Sequence, residues 1–72
     1  MANLKLEALR AHYQAERLKA IATLEVYMSN SAGIGEHPQI IDEMLSLVQR
    51  VADADDGLEV LSKIFTEENV NS

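Results

Sequence analysis

The sequence predicts an all-α chain, an antiparallel hairpin of two long helices that assembles as a homo-oligomeric, four-helix-type bundle. Three observations carry that expectation. The composition is rich in Ala, Leu, Ile, Val, Glu and Asp, with one proline and three glycines, a helix-forming mix with enough apolar content to pack. The chain is interrupted once, at Ser29-Asn30-Ser31-Ala32-Gly33-Ile34-Gly35-Glu36-His37-Pro38. On both sides of that break the apolar residues recur at helical spacing.

The first helix is expected over about residues 4–30. Asn3 is a good N-cap, because its side-chain oxygen can take one of the free N–H groups of the first turn. Gly33 or Asn30 can adopt the left-handed conformation that ends a helix. At roughly 100° per residue, Leu6, Leu9, Tyr13, Ala20, Ile21, Leu24, Tyr27 and Met28 gather on one side. Leu4, Ala8, Ala11, Ala15, Leu18, Ala22 and Val26 form a second, alanine-rich stripe. Polar strips separate the two: Lys5, His12, Glu16, Lys19 and Thr23 on one flank, and Glu7, Gln14 and Glu25 on the other.

A loop is expected over about residues 31–37 and a second helix over about 38–66. Pro38 suits a first helical turn, where its missing N–H would have no partner anyway. Asp42 and Glu43 follow, where negative charge complements the helix dipole. Ile40, Met44, Leu47, Val51, Ala54, Leu58, Leu61 and Phe65 are separated by alternating steps of four and three, the spacing of a coiled-coil seam. Ile41, Leu45, Val48 and Ala52 widen that seam toward one side, which suits a bundle core more than a two-stranded zipper. Residues 67–72 read as a frayed tail. Each helix runs roughly 26–28 residues, about 40 Å at 1.5 Å rise. A short connection makes them antiparallel neighbours.

Size explains why a partner is expected. Below about 70–80 residues one core seldom supplies more than roughly 3–5 kcal/mol, so small chains recruit a disulfide, a metal or a second subunit. This chain has no cysteine and only two histidines, His12 and His37. Disulfides and thiolate zinc sites are excluded, which leaves self-association. One apolar side of the first helix can pack on the second helix, and the other then needs a different partner. Ala8, Ala11, Ala15, Leu18 and Ala22 are the expected oligomer interface, since small side chains permit close helix approach and a wet stripe of that length exceeds what monomers tolerate.

Charge is uneven. Residues 1–31 hold four basic against three acidic side chains, and residues 32–72 hold two against nine, for a net charge of −6. Phosphate backbones are repelled by such a field, so direct nucleic-acid binding is disfavoured. Met1-Ala2-Asn3 leads directly into a mixed-charge segment, which reads as no signal peptide. Apolar runs are far too short to span a bilayer. A cytoplasmic protein is expected.

No motif announces chemistry. Asp53-Ala54-Asp55-Asp56-Gly57 evokes a calcium loop, but the glycine arrives one place early and Ile64 stands where the bidentate glutamate belongs. The segment reads instead as a solvated acidic face that the seam carries straight through, although Asp56 and Glu59 could cap a new helix if the chain broke at Gly57. Gly33-Ile34-Gly35-Glu36-His37-Pro38 lacks the Gly-Lys-Ser/Thr ending of a phosphate loop. Ile34 more simply plugs the bundle end. His12 reads as a surface histidine, and Tyr13 and Tyr27 as packed rings with hydroxyls at the rim. No serine or cysteine nucleophile has a completing base.

Leu24-Glu25-Val26-Tyr27, Gly33 to Pro38, Ile41-Asp42-Glu43 and Ala52 to Asp56 together resemble small uncharacterised helical proteins of marine cyanobacterial tailed phages and of marine environmental sequence. The resemblance implies no activity, cofactor or site residue; a phage origin would place the chain in the host cytoplasm. The expected function is that of a non-enzymatic, oligomeric interaction or structural accessory protein without cofactor. Two alternatives stand beside it. One is an acidic regulator or anti-factor binding a basic protein. The other is a small-ligand or metal-binding bundle using Glu16, Glu36, His12 or His37.

Overall fold

The computed structural model describes residues 3–29 and 39–71, with side chains as far as Phe65. Helix α1 spans Leu4–Ser29 and helix α2 spans Ile40–Asn71, and the two pack against each other as a hairpin. No strand occurs among the described residues. The chain measures 56 × 17 × 14 Å, the shape of a single layer of two helices.

Local chemistry sets the ends. Asn3 is the N-cap of α1: its Oδ1 accepts from the Leu6 N–H at 3.1 Å, and its carbonyl accepts from Glu7 at 3.0 Å. At the other end the Ser29 hydroxyl donates to the Glu25 carbonyl at 2.8 Å, the back-bond to the residue four places earlier that serine makes within helices. Helix α2 starts at Ile40, with the Glu43 N–H donating to the Gln39 carbonyl at 3.0 Å. Asp42 and Glu43 lie in its first turn, the favourable end of the dipole. Pro38 and the loop residues 31–37 lie outside the described residues.

Two boundaries differ from expectation. The tail expected over 67–72 is helical to Asn71, because neither glycine nor proline follows Gly57 to stop it. The second helix also begins two residues later than expected. It runs unbroken through Gly57, for a reason that lies on α1.

Pairing is antiparallel in a definite register. Tyr13 lies over Gly57, Arg17 bonds Asp55 and Tyr27 bonds Glu43, so the partner number falls as α1 advances. The side chains between the helices are those of the seam. Ile40, Leu47, Ala54 and Leu61 are buried, and Met44, Val51, Leu58 and Phe65 are half-buried. From α1 only Ala20 is buried, while Leu6, Tyr13, Ile21, Leu24 and Tyr27 are half-buried. Leu9 and Met28, expected on this inner side, are exposed instead. They sit one residue off the seam line, and a lone partner helix is too narrow to cover both shoulders of α1.

An ideal Cβ placed on Gly57 would fall 2.5–2.8 Å from the Tyr13 ring atoms Cζ, Cε1 and Cε2, well inside carbon contact distance of about 3.5–4.0 Å. The glycine is therefore a seat for the phenol ring. Its cost to helix stability, about 1 kcal/mol relative to alanine, is offset by the close approach of the aromatic face to the α2 backbone.

Candidate interaction surface

The seam divides the hairpin surface into two flanks. Ile41, Val48 and Asp55 each follow a buried seam residue by one position, and Glu43, Arg50 and Gly57 each precede a half-buried one. At 100° per residue these sets turn to opposite sides of α2. On α1, Ile21 and Met28 follow Ala20 and Tyr27, while Glu16 and Thr23 precede Arg17 and Leu24. In an antiparallel pair, the following residues of both helices share one flank. The observed bonds fix this: Arg17 Nε donates to Asp55 Oδ1 at 2.6 Å on one flank, and the Tyr27 hydroxyl donates to Glu43 Oε1 at 2.8 Å on the other.

The Glu43 flank is polar along its middle. A shallow cleft of about 200 Å³ there is lined by His12, Tyr13, Glu16, Arg50, Asp53 and Ala54. A second hollow of about 310 Å³ lies beside it, lined by Thr23, Tyr27, Glu43, Ser46, Leu47 and Arg50, and both are open to solvent rather than enclosed. Lys19 donates to Glu16 at 3.1 Å, and this hydrogen bond, with the lysine's charge, holds the Glu16 carboxyl below its ordinary value. The Tyr27 phenol is held above its ordinary value, first by its hydrogen bond to the Glu43 carboxylate. Both shifts arise from solvated pairs. Neither brings a proton donor or nucleophile up to a closed space where chemistry could be directed.

The Asp55 flank is different. Over the half of the hairpin nearest the interhelix connection it is apolar on α2 and, apart from the exposed carboxylate of Glu25, on α1. Leu18 is 65% exposed, Met28 71%, Ile41 59%, Leu45 61% and Val48 52%. Exposed Ala52 and half-buried Ile21 extend the same face. Toward the open end of the hairpin the α2 part becomes polar, with Asp55, Glu59 and Ser62. The α1 part continues around its back as alanine.

Comparison with family models, with curated proteins and with solved structures finds no match.

The residues singled out from the sequence fall as follows. Ala8, Ala11, Ala15, Leu18 and Ala22 are all exposed along the outside of α1, as are Leu4 and Val26. The widening row Ile41, Leu45, Val48 and Ala52 is also exposed rather than covered by α1. The two rows approach one another on the Asp55 flank near the connection, through Leu18, Ile21 and Met28; toward the open end Glu7 and Gln14 lie between the alanines and the seam. His12 is exposed and Glu16 half-buried, facing Arg50 and Asp53 across the cleft. Glu36 and His37, with Gly33, Ile34, Gly35 and Pro38, lie outside the described residues. Among the described residues no group of three or more histidine, aspartate or glutamate side chains is placed to hold a metal ion, and no helix is long and apolar enough to cross a membrane.

Sequence reasoning passed over Arg17, which occupies a seam-line position between Tyr13 and Ala20 yet is half-exposed and turned outward to Asp55. It also left open a break in α2 at Gly57. A signal was present in both cases. Folding the chain back at the loop sets residue 13 opposite residue 57 and residue 17 near residue 55.

Proposed function

We propose that this chain is a non-enzymatic interaction or structural accessory protein that works as a self-associated helical bundle in the cytoplasm. The observation that carries the reading is the apolar face on the Asp55 flank. Five large apolar side chains there are each more than half exposed, while among the described residues only Ala20, Ile40, Leu47, Ala54 and Leu61 are buried. A single-layer hairpin with that little interior gains most by covering its outer face with another helical layer. The alanines of α1 permit close approach at the edge of that layer.

Charge substitution tests it. Leu45→Glu with Val48→Glu, and separately Ala11→Glu with Ala15→Glu, place carboxylates in the face while leaving the seam intact. Light scattering is expected to show the unaltered chain above its 8.0 kDa monomer mass and both variants shifted toward it, with helicity retained. Unchanged mass in both variants would reject this face as the interface.

A second reading rests on the acidic exterior of α2, where Asp42, Asp53, Asp56 and Glu59 are exposed. There the chain regulates a basic protein partner, and binding weakens steeply with salt. Salt-insensitive capture of such a partner would exclude it.

A further inference from the structure

Resting on the self-association just proposed, we infer that two copies stack with both interhelix connections at the same end, α1 of each copy lying on α2 of the other. Two hairpins can cover one another face to face by two-fold symmetry in two ways. A two-fold axis along the helices sets the connections together and lays α1 on the partner's α2. An axis across the helices sets the connections at opposite ends and lays α1 on α1 and α2 on α2.

The distribution of residues on the Asp55 flank separates these. The apolar part formed by Leu18, Ile21 and Met28 on α1 and by Ile41, Leu45 and Val48 on α2 occupies only the half nearest the connection. The same-end arrangement lays this half on its own image, apolar on apolar except at Glu25 of each copy. The opposite-end arrangement, at full overlap, lays Ile41, Leu45 and Val48 over the partner's polar half of α2, beyond Asp55. Covering Asp55 and Glu59 with aliphatic side chains would strip water from both carboxylates and from their partners Arg17 and Lys63, a desolvation cost that the same-end arrangement does not incur on α2.

Charge points the same way. The acids are concentrated in residues 32–72, where nine oppose two basic side chains, whereas residues 1–31 are nearly neutral. Stacking α2 on α2 brings the two most acidic surfaces together, and stacking α1 on α2 keeps them diagonally apart.

The chain has no cysteine, so single spin labels can be introduced cleanly. Lys5→Cys, Lys19→Cys and Val26→Cys lie on one line along α1 at multiples of seven residues, and all three positions are exposed. Each variant is labelled alone, and the distance between the two labels of a dimer is measured by pulsed electron resonance at physiological salt. The same-end stack gives similar, short distances at all three sites, because diagonal helices in a bundle with 8–10 Å spacings lie only about 14 Å apart before the label arms are added. An opposite-end stack gives unequal distances. Moving from Lys5 to Lys19 displaces each label by about 21 Å at 1.5 Å per residue, in opposite directions on the two copies. Unequal distances overturn the arrangement and leave self-association standing. No dipolar coupling at any site, with light scattering at monomer mass, overturns the reading on which the arrangement rests.

Discussion

Replacing Gly57 with alanine sets two effects of similar size against each other, and the Tyr13 ring decides which wins. In an isolated helix the substitution is favourable by about 1 kcal/mol, since glycine gives up more backbone freedom on folding. Here the new methyl would stand 2.5–2.8 Å from three atoms of the Tyr13 ring, so the ring must retreat by about 1 Å or swing out toward water. Overpacking of that kind typically costs about 1–3 kcal/mol. The net result for Gly57→Ala alone lies between no change and a loss of about 2 kcal/mol once the helix-propensity gain is subtracted. In a Tyr13→Ala background the clash is gone, and the same substitution stabilises by about 1 kcal/mol. The coupling between the two sites is therefore about 1–3 kcal/mol, within the range of residues in direct contact. Urea unfolding of the four proteins, followed by far-ultraviolet circular dichroism at one fixed chain concentration, measures it. Fixed concentration matters because association adds a mass-action contribution to apparent stability. An equal stabilising effect of alanine in both backgrounds would show that the ring is not seated on the glycine, and the register of the hairpin would have to be redrawn.

Other outcomes follow from single contacts. Asn3→Ala removes the acceptor for the Leu6 N–H and should cost about 1 kcal/mol, with Asn3→Ser nearly silent in the same unfolding assay. Leu47→Ala empties a buried seam position and should cost about 2–5 kcal/mol; a loss below that of Asn3→Ala would mean the seam is not the core. Arg17→Ala should cost under about 1 kcal/mol despite the 2.6 Å bond to Asp55, because both partners are about half exposed and screened. Tyr27 should ionise above the ordinary tyrosine range. With its folded value raised, the contribution to stability is complete below the unfolded value of about 10 and is lost as pH rises through the folded value. Near-ultraviolet titration of a Tyr13→Phe chain reports Tyr27 alone, and adding Glu43→Gln should lower the midpoint; an unmoved midpoint would contradict the hydrogen bond.

Much of the hairpin was legible because seam spacing is a one-dimensional signal. Eight apolar residues in steps of four and three define an inward line on α2 whatever the partner, and a single Gly- and Pro-containing break leaves only one place for the chain to turn. The shoulders of α1 were harder to read. Leu9, Met28 and Ile21 have similar hydrophobicity, and whether each is covered depends on how many helices surround α1, which periodicity does not encode. Gly57 shows a second reason. Its helix cost is visible in the sequence, but the compensating Tyr13 contact is 44 residues away and appears only after the antiparallel register is applied. The apolar flank lay between these cases. The alanine stripe and the Ile41 row were each visible as patterns, but their union into one face depends on the two helices being joined in space.

Sedimentation equilibrium of the unaltered chain over a range of concentrations tests the role of that face most directly. A covered flank gives a mass at least twice 8.0 kDa at high concentration, falling toward the monomer on dilution. A chain that stays at 8.0 kDa and folded at every concentration would contradict it.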